Sequence, residues 1–91
     1  MIRTATLATT TILLSAATLA NAGSLGRPCT AAPQSQWLTL DGIQVKIEEL
    51  GYKVQKAKLK AACGELYTVD KNGNRVELFV DPVTGTIVGK L

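Results

Sequence analysis

The chain of 91 residues contains no histidine, so the side chain that most often acts as a base or a metal ligand near neutral pH is missing. Without it, a serine or cysteine nucleophile lacks its usual partner. Zinc needs about four ligands, and two cysteines alone do not supply them. The absence of histidine therefore argues against a triad hydrolase and against a zinc site. We predict no enzyme, no catalytic residues, no metal and no cofactor.

A concentration of charge of one sign is also missing. The chain has ten basic and seven acidic residues and a formal net charge of +3, and the two signs are interleaved along the sequence. Nucleic-acid binding requires basic side chains gathered on one surface. We therefore expect no nucleic-acid partner.

Residues 1–22 have the features of a cleavable signal peptide. Arg3 supplies a positive start, residues 5–19 are almost free of strongly polar groups, and Ala20-Asn21-Ala22 is a small-x-small cleavage motif. The apolar run is short and rich in threonine for a bilayer span, so an uncleaved anchor is the less favoured alternative. The sequence predicts cleavage after Ala22, a periplasmic or secreted protein, and no stable membrane anchor after cleavage.

The two cysteines, Cys29 and Cys63, both follow this segment. An even pair in a small exported domain usually forms a disulfide, which would stabilise the fold by roughly 3–4 kcal/mol. Residues 23–36 are punctuated by glycine and proline and show no hydrophobic period, which predicts an irregular N-terminal arm. We expect the disulfide to hold this arm against a domain formed by residues 37–91.

One helix is predicted over residues 40–50. Thr39 is a suitable N-cap, and Gly51 is a suitable terminator because glycine accepts a positive φ. Apolar residues spaced by three, four and three positions define its buried face: Leu40, Ile43, Ile47 and Leu50.

A hairpin is predicted between Glu65 and Asp81, and two registers are open. A two-residue turn at Asn72-Gly73 would pair Tyr67 with Leu78, whereas a three-residue loop ending at Gly73 pairs Leu66 with Leu78. We prefer the second register because it gathers the aliphatic side chains on one face: Leu66, Val76, Leu78 and Val80. The other face then carries Glu65, Tyr67, Arg75, Glu77, Phe79 and Asp81. We expect Tyr67 and Phe79 to be partly exposed there.

Two more strands complete the predicted sheet, at residues 53–59 and 86–88, and residues 89–91 are expected to be a short tail. In the first strand Val54 shares its parity with a row of lysines: Lys56, Lys58 and Lys60. Such a row either docks an anionic polymer or an acidic protein, or guards an exposed sheet against edge pairing; we favour guarding. The predicted fold class is α+β, with one helix on a three- to four-stranded antiparallel meander and one disulfide.

Two acidic groupings were weighed for chemistry. Glu65, Glu77 and Asp81 could act as an acid and a base, but carboxylates on a solvated strand face are usually surface charges. Residues 70–74 slightly resemble a calcium loop, yet glycine stands at the fourth position instead of the sixth. The first grouping therefore does not predict a catalytic site, and the second does not predict a calcium site.

An ordered set of four segments resembles the PepSY domain family, in its small exported single-domain form. The segments are Gly-Tyr-Lys-Val (51–54), Cys-Gly-Glu-Leu (63–66), Asp-Lys-Asn-Gly-Asn-Arg-Val-Glu (70–77) and Val-Asp-Pro-Val-Thr-Gly (80–85). The last is similar to the family's Asp-x-x-Thr-Gly turn before its final strand. Gly64 departs from the pattern, since an aromatic residue is expected between Cys63 and Glu65. The resemblance covers about residues 37–88.

The resemblance implies a non-enzymatic module that binds and inhibits a peptidase or another envelope protein, with a helix packed across an antiparallel meander. We expect a monomer that meets its protein partner through the exposed sheet face or a sheet edge. The expected partner-binding residues are Tyr67, Phe79, Glu65, Glu77 and Arg75. The alternative is an accessory module that senses a ligand or an ion without a protease target.

Overall fold

The computed structural model describes residues 25–91, so the predicted signal peptide and its cleavage site lie outside the described residues. A short 3-10 helix precedes one α-helix and four strands: Gln34–Gln36, then α1 (Leu40–Glu49), β1 (Lys53–Lys60), β2 (Cys63–Val69), β3 (Arg75–Val80) and β4 (Ile87–Lys90). The strands form one antiparallel sheet in the order β1-β2-β3-β4. With the Cys29–Cys63 disulfide, this confirms the predicted α+β fold.

Helix α1 begins and ends close to the predicted positions. The Thr39 hydroxyl accepts a hydrogen bond from the Gly42 amide at 3.0 Å, and Gly51 has a φ of 102°. Leu50 is 56% exposed, so the prediction that it belongs to the buried face was wrong. The helix ends at Glu49 and the chain turns at Gly51 toward β1, and Leu50 therefore does not continue the apolar face.

The hydrophobic core lies between α1 and one face of the sheet. Its members are all fully buried: Ile43, Ile47, Leu66, Leu78 and Val80. Burying a side chain of this size contributes about 1.5–3 kcal/mol. This face, called the inner face below, is the one that the aliphatic pattern predicted.

Strand β1 contains a β-bulge that the sequence analysis missed. Val54 pairs with Thr68 and Lys56 pairs with Tyr67, which leaves Gln55 as the extra residue. The bulge reverses the alternation of side chains, so Val54 packs against the core instead of sharing a face with the lysines. The predicted parity of Val54 was therefore wrong.

The hairpin between β2 and β3 has the preferred register. Leu66 lies opposite Leu78, and Thr68 opposite Val76. The Gly73 amide donates to the Asp70 carbonyl at 3.0 Å, and Gly73 has a φ of 85°. This is the three-residue loop in which glycine takes the left-handed conformation.

The chain after residue 88 is part of the sheet, which corrects the predicted tail. β4 runs to Lys90, and Leu91 exchanges two backbone hydrogen bonds with Glu77, at 2.9 and 3.1 Å. Gly89 lies opposite Phe79, and a Cβ at Gly89 would lie 2.7 Å from Leu25 Cδ1. Glycine is thus needed here because another segment of the chain approaches the strand closely.

Candidate interaction surface

The side of the sheet away from α1 brings the predicted partner-binding residues together. Glu65 lies opposite Phe79 and Tyr67 opposite Glu77, with Arg75 one pair further along. We call this side the outer face. It comprises Lys53, Lys56, Lys58, Lys60, Cys63, Glu65, Tyr67, Val69, Arg75, Glu77, Phe79 and Gly89.

The exposure expected for Phe79 was wrong, because its side chain is fully buried (0% exposed). Glu65 is also buried, at 3% exposure. The reason is the N-terminal arm, which crosses this part of the outer face. Leu25 approaches Gly89 beside the Phe79 ring, and a half-open pocket of about 280 Å³ lies between the arm and the sheet. Its lining residues are Leu25, Gly26, Arg27, Pro28, Lys60, Ala61, Cys63 and Glu65.

The arm is fastened to the sheet at its middle. The disulfide joins Cys29 to Cys63 at the start of β2, and the Cys29 amide donates to the Ala62 carbonyl at 3.3 Å. Ala61 and Ala62 form the turn between β1 and β2, and both have positive φ values, 53° and 61°. Residues other than glycine, asparagine and aspartate rarely adopt this conformation. The cross-link and the arm therefore hold a strained turn.

Two carboxylates lie side by side beneath and beside the arm. Glu65 Oε1 is 3.8 Å from Lys58 Nζ, the one ion pair within residues 25–91. Glu65 Oε1 and Glu77 Oε2 are both buried without a hydrogen-bond partner. Desolvation raises the pKa of Glu77, and the nearby charge of Glu65 raises it further, although the Tyr67 hydroxyl opposes the shift. The pair is thus electrostatically strained when both groups are ionised.

The accessible part of the outer face lies beyond the arm. Tyr67 and Glu77 are partly exposed and Arg75 is exposed. They help to line a groove of about 250 Å³ with Gln55, Thr68 and Val76. The Lys58 ammonium lies 5.9 Å from the centroid of the Tyr67 ring, which is within the range of a cation–π contact. Desolvation, followed by the charges of Glu77 and Glu65, raises the pKa of Tyr67. The phenol therefore stays protonated as a donor.

The calcium-like turn uses its carboxylate internally. Asp70 Oδ1 accepts hydrogen bonds from the amides of Asn72 and Asn74, both at 2.9 Å. The bond from the Asn74 amide is the largest cause that holds the pKa of Asp70 below its usual value. In the part of the chain that the structure describes, no group of three or more histidine, cysteine, aspartate or glutamate side chains could hold a metal ion. The Asp70 carboxylate thus closes the turn between β2 and β3.

Two features of this surface were not predicted: that the disulfide-bound arm covers this face, and the bulge that separates Val54 from the lysines. Gly89 within a β-prone run was the one available signal for the first, since glycine in a strand often marks a close approach. No helix within residues 25–91 is long and apolar enough to cross a membrane.

Comparison with known proteins gives one finding. The family model described as peptidase propeptide and YPEB domain, PepSY_2, matches residues 4–90 and so covers nearly the whole chain. No curated protein and no solved structure is significantly similar to it. The match confirms the family that the four sequence segments indicated.

Proposed function

The chain belongs to the peptidase propeptide and YPEB domain family, and from this premise we propose that it is an exported module that binds and restrains a peptidase or another envelope protein. PepSY domains are generally non-catalytic, interact with proteins, are linked to peptidases and typically occur in exported proteins. The match over residues 4–90 is the observation that carries the proposal, because it concerns almost all of the chain and not one motif.

The accessible part of the outer face supports this proposal. Tyr67 offers a half-exposed aromatic ring, and Arg75 and Glu77 offer charges beside it. Tyrosine and arginine are the side chains that most often dominate the binding energy of protein interfaces. We assign direct partner contact to these three residues. Phe79 and Glu65 lie under the arm and support the surface from below.

The alternative, an ion- or ligand-sensing module, has less support. Its best candidate was the Asp70 turn, whose carboxylate already accepts two backbone amides. The partner-binding proposal needs no rearrangement of that turn. We therefore retain partner binding as the function that the geometry favours.

The test uses the exported protein purified in its disulfide-bonded form. It is used to capture partners from a native envelope extract, and a captured peptidase is then assayed with increasing amounts of the protein. We expect specific capture of a peptidase and a dose-dependent fall in its activity. The double variant Tyr67→Ala, Arg75→Ala should weaken both effects at least tenfold.

The control is Val45→Ala, which removes an exposed apolar side chain (52% exposed) from the helix side. It should bind and inhibit as the unaltered protein does. The proposal fails if specific partners include no peptidase or other envelope protein. The assignment of the surface fails if the double variant, shown to be folded by circular dichroism, behaves like the control.

A further inference from the structure

Strand β1 is the long, unpaired edge of the sheet. It has eight residues, whereas β4 at the opposite edge has four. Within residues 25–91 every backbone hydrogen bond of β1 to another strand goes to β2. The edge of β1 that faces away from β2 therefore presents free amide and carbonyl groups. An extended peptide can add to such an edge as a further strand.

The bulge at Gln55 sorts the charges of this edge. The three lysines that follow it alternate regularly and lie on the outer face, opposite Tyr67, Glu65 and Cys63. The bulge places Lys53, opposite Val69, on the same face. Lys58 is engaged with Glu65 and with the Tyr67 ring. Lys56 and Lys60 are exposed and have no carboxylate within 4.0 Å in the described chain. Lys53, before the bulge, is likewise exposed and without a carboxylate within 4.0 Å in the described chain, so three cations are left free beside an unpaired backbone.

The carboxylates that could balance them are withdrawn from solvent. Glu65 is 3% exposed and Glu77 is partly covered, so the outer face presents more positive charge to solvent than its sequence suggests. The exposed acidic side chains of α1 belong to the opposite side of the sheet: Asp41, Glu48 and Glu49. The two sides of the domain therefore differ in the sign of their exposed charge.

We propose that the β1 edge binds an extended acidic segment of a protein partner as a fifth strand, with acidic side chains at alternate positions beside Lys56, Lys58 and Lys60. This names the chemistry of the partner and rests on the proposed function. Alternate positions are required because side chains of a strand reach the same face at every second residue. Opposite charges on neighbouring strands attract, and like charges repel.

The same lysines keep β1 from pairing with the β1 edge of a second copy, since that contact would bring like charges together. Guarding and selection are therefore two results of one charge pattern. They differ in one respect. A guard alone excludes every strand, whereas a selective edge accepts an acidic one.

The probe is a synthetic octapeptide of alternating valine and glutamate, with an alternating valine and lysine peptide as its negative counterpart. Each is titrated to millimolar concentration into the ¹⁵N-labelled, disulfide-bonded protein, and amide shifts are followed by NMR. We expect the acidic peptide to shift amides within residues 53–60 and the basic peptide to shift none. Binding should weaken as salt is added, because exposed charges are screened.

The decisive comparison uses two charge-matched double variants. Lys56→Glu with Lys60→Glu should weaken binding of the acidic peptide at least tenfold. Lys46→Glu with Lys90→Glu makes the same change in net charge on α1 and on β4, at the opposite edge of the sheet, and should leave binding within about twofold. Equal losses in the two variants would show a general charge effect and overturn the proposal.

Other outcomes are equally clear. If the acidic peptide shifts no amide of β1, the proposal is overturned. If phosphatidylglycerol vesicles bind through Lys56 and Lys60 and the peptide does not, the surface belongs to a membrane and the proposal is wrong. If a peptidase is captured and the Lys56→Glu, Lys60→Glu variant binds it normally, the edge proposal falls while the proposed function stands. If the acidic peptide binds to β1 but no peptidase or other envelope protein is captured, the edge proposal stands and the proposed function falls.

Discussion

The inner face of the sheet is covered along its length and the outer face only in part, and the two covers are built in different ways. On the inner face a regular helix places Ile43 and Ile47 against Leu66 and Leu78. On the outer face an irregular arm, tied down by a disulfide, covers Phe79 and part of its surroundings. The inner cover depends on a periodic apolar stripe, whereas the outer cover depends on one covalent bond and a few contacts.

The difference also concerns polar groups. Among the residues of the inner face, the buried Thr68 hydroxyl donates to the Val76 carbonyl at 2.8 Å, so its polar group is satisfied. On the outer face the buried oxygens Glu65 Oε1 and Glu77 Oε2 lack hydrogen-bond partners. A buried polar atom without a partner costs free energy. The outer face therefore carries a free-energy cost that the Thr68 hydroxyl of the inner face does not.

The largest effect is expected when a buried side chain is removed from either face. Phe79→Ala and Leu78→Ala change neighbouring residues that point to opposite sides, and both side chains are fully buried. Each should lower the free energy of unfolding by about 2–5 kcal/mol, because each leaves a cavity. Urea denaturation measures both losses.

The control for this pair is Tyr67→Ala, which truncates a partly exposed aromatic ring of the outer face. It should cost clearly less than Phe79→Ala. A loss below about 1 kcal/mol for Phe79→Ala would show that the arm does not bury this ring, and the comparison of two covered faces would fail.

A smaller effect is expected when the outer cover is released. Replacing Cys29 and Cys63 together by alanine removes a cross-link between residues 34 positions apart. We expect a loss of about 2–4 kcal/mol in the free energy of unfolding. The nuclear Overhauser contacts between the Leu25 methyl groups and Gly89 should disappear, while those between Ile43 and Leu66 remain.

Reduction of the unaltered protein serves as the check, since it breaks the same bond without changing the sequence. It should give the same selective loss of contacts. Loss of the contacts of both faces together would mean that the two covers form one cooperative unit, and the distinction between them would not hold.

The smallest effect concerns the charge of Glu77. Its pKa is raised above the ordinary value of 4.5 by desolvation and by Glu65, so the folded protein takes up this proton at a higher pH than the unfolded chain. Protonation therefore favours the folded state, and the stability due to this group falls as the pH rises from about 4.5 through the folded pKa. Glu77→Gln should be more stable than the unaltered protein at pH 7, and the gain should shrink toward pH 4.

Unfolding by urea at several pH values measures this gain, and a ¹³C titration of the Glu77 carboxyl locates its pKa. Glu49→Gln, an exposed change on α1, controls for the removal of one negative charge. If the two variants show the same dependence on pH, the Glu65–Glu77 pair has no special effect on stability.

Much of the inner face could be predicted from local patterns. The spacing of Ile43 and Ile47 gave the helix face, and the position of Gly73 gave the hairpin register. The pairing of Cys29 with Cys63 followed from an even cysteine count in a domain that the sequence predicts to be exported. These features are local or are fixed by counting, so they can be found in the sequence.

The outer face could be predicted only as a set of residues. The register correctly placed Tyr67, Glu77 and Phe79 on one side. Whether that side met solvent depended on where the arm goes, and the arm has no period that would indicate its path. The predicted exposure of Phe79 was therefore wrong, although the face of the sheet predicted for it was correct.

The sequence by itself determined the α+β class, the hairpin register, the disulfide and the family, because periodicity, turn residues and ordered motifs are properties of the chain in one dimension. Only the tertiary structure decided which charged side chains are exposed to solvent. One extra residue at Gln55 moved Val54 to the core and left three lysines on the outer face, and one arm buried Glu65 and Phe79. Both depend on contacts between segments far apart in sequence, which no local pattern records.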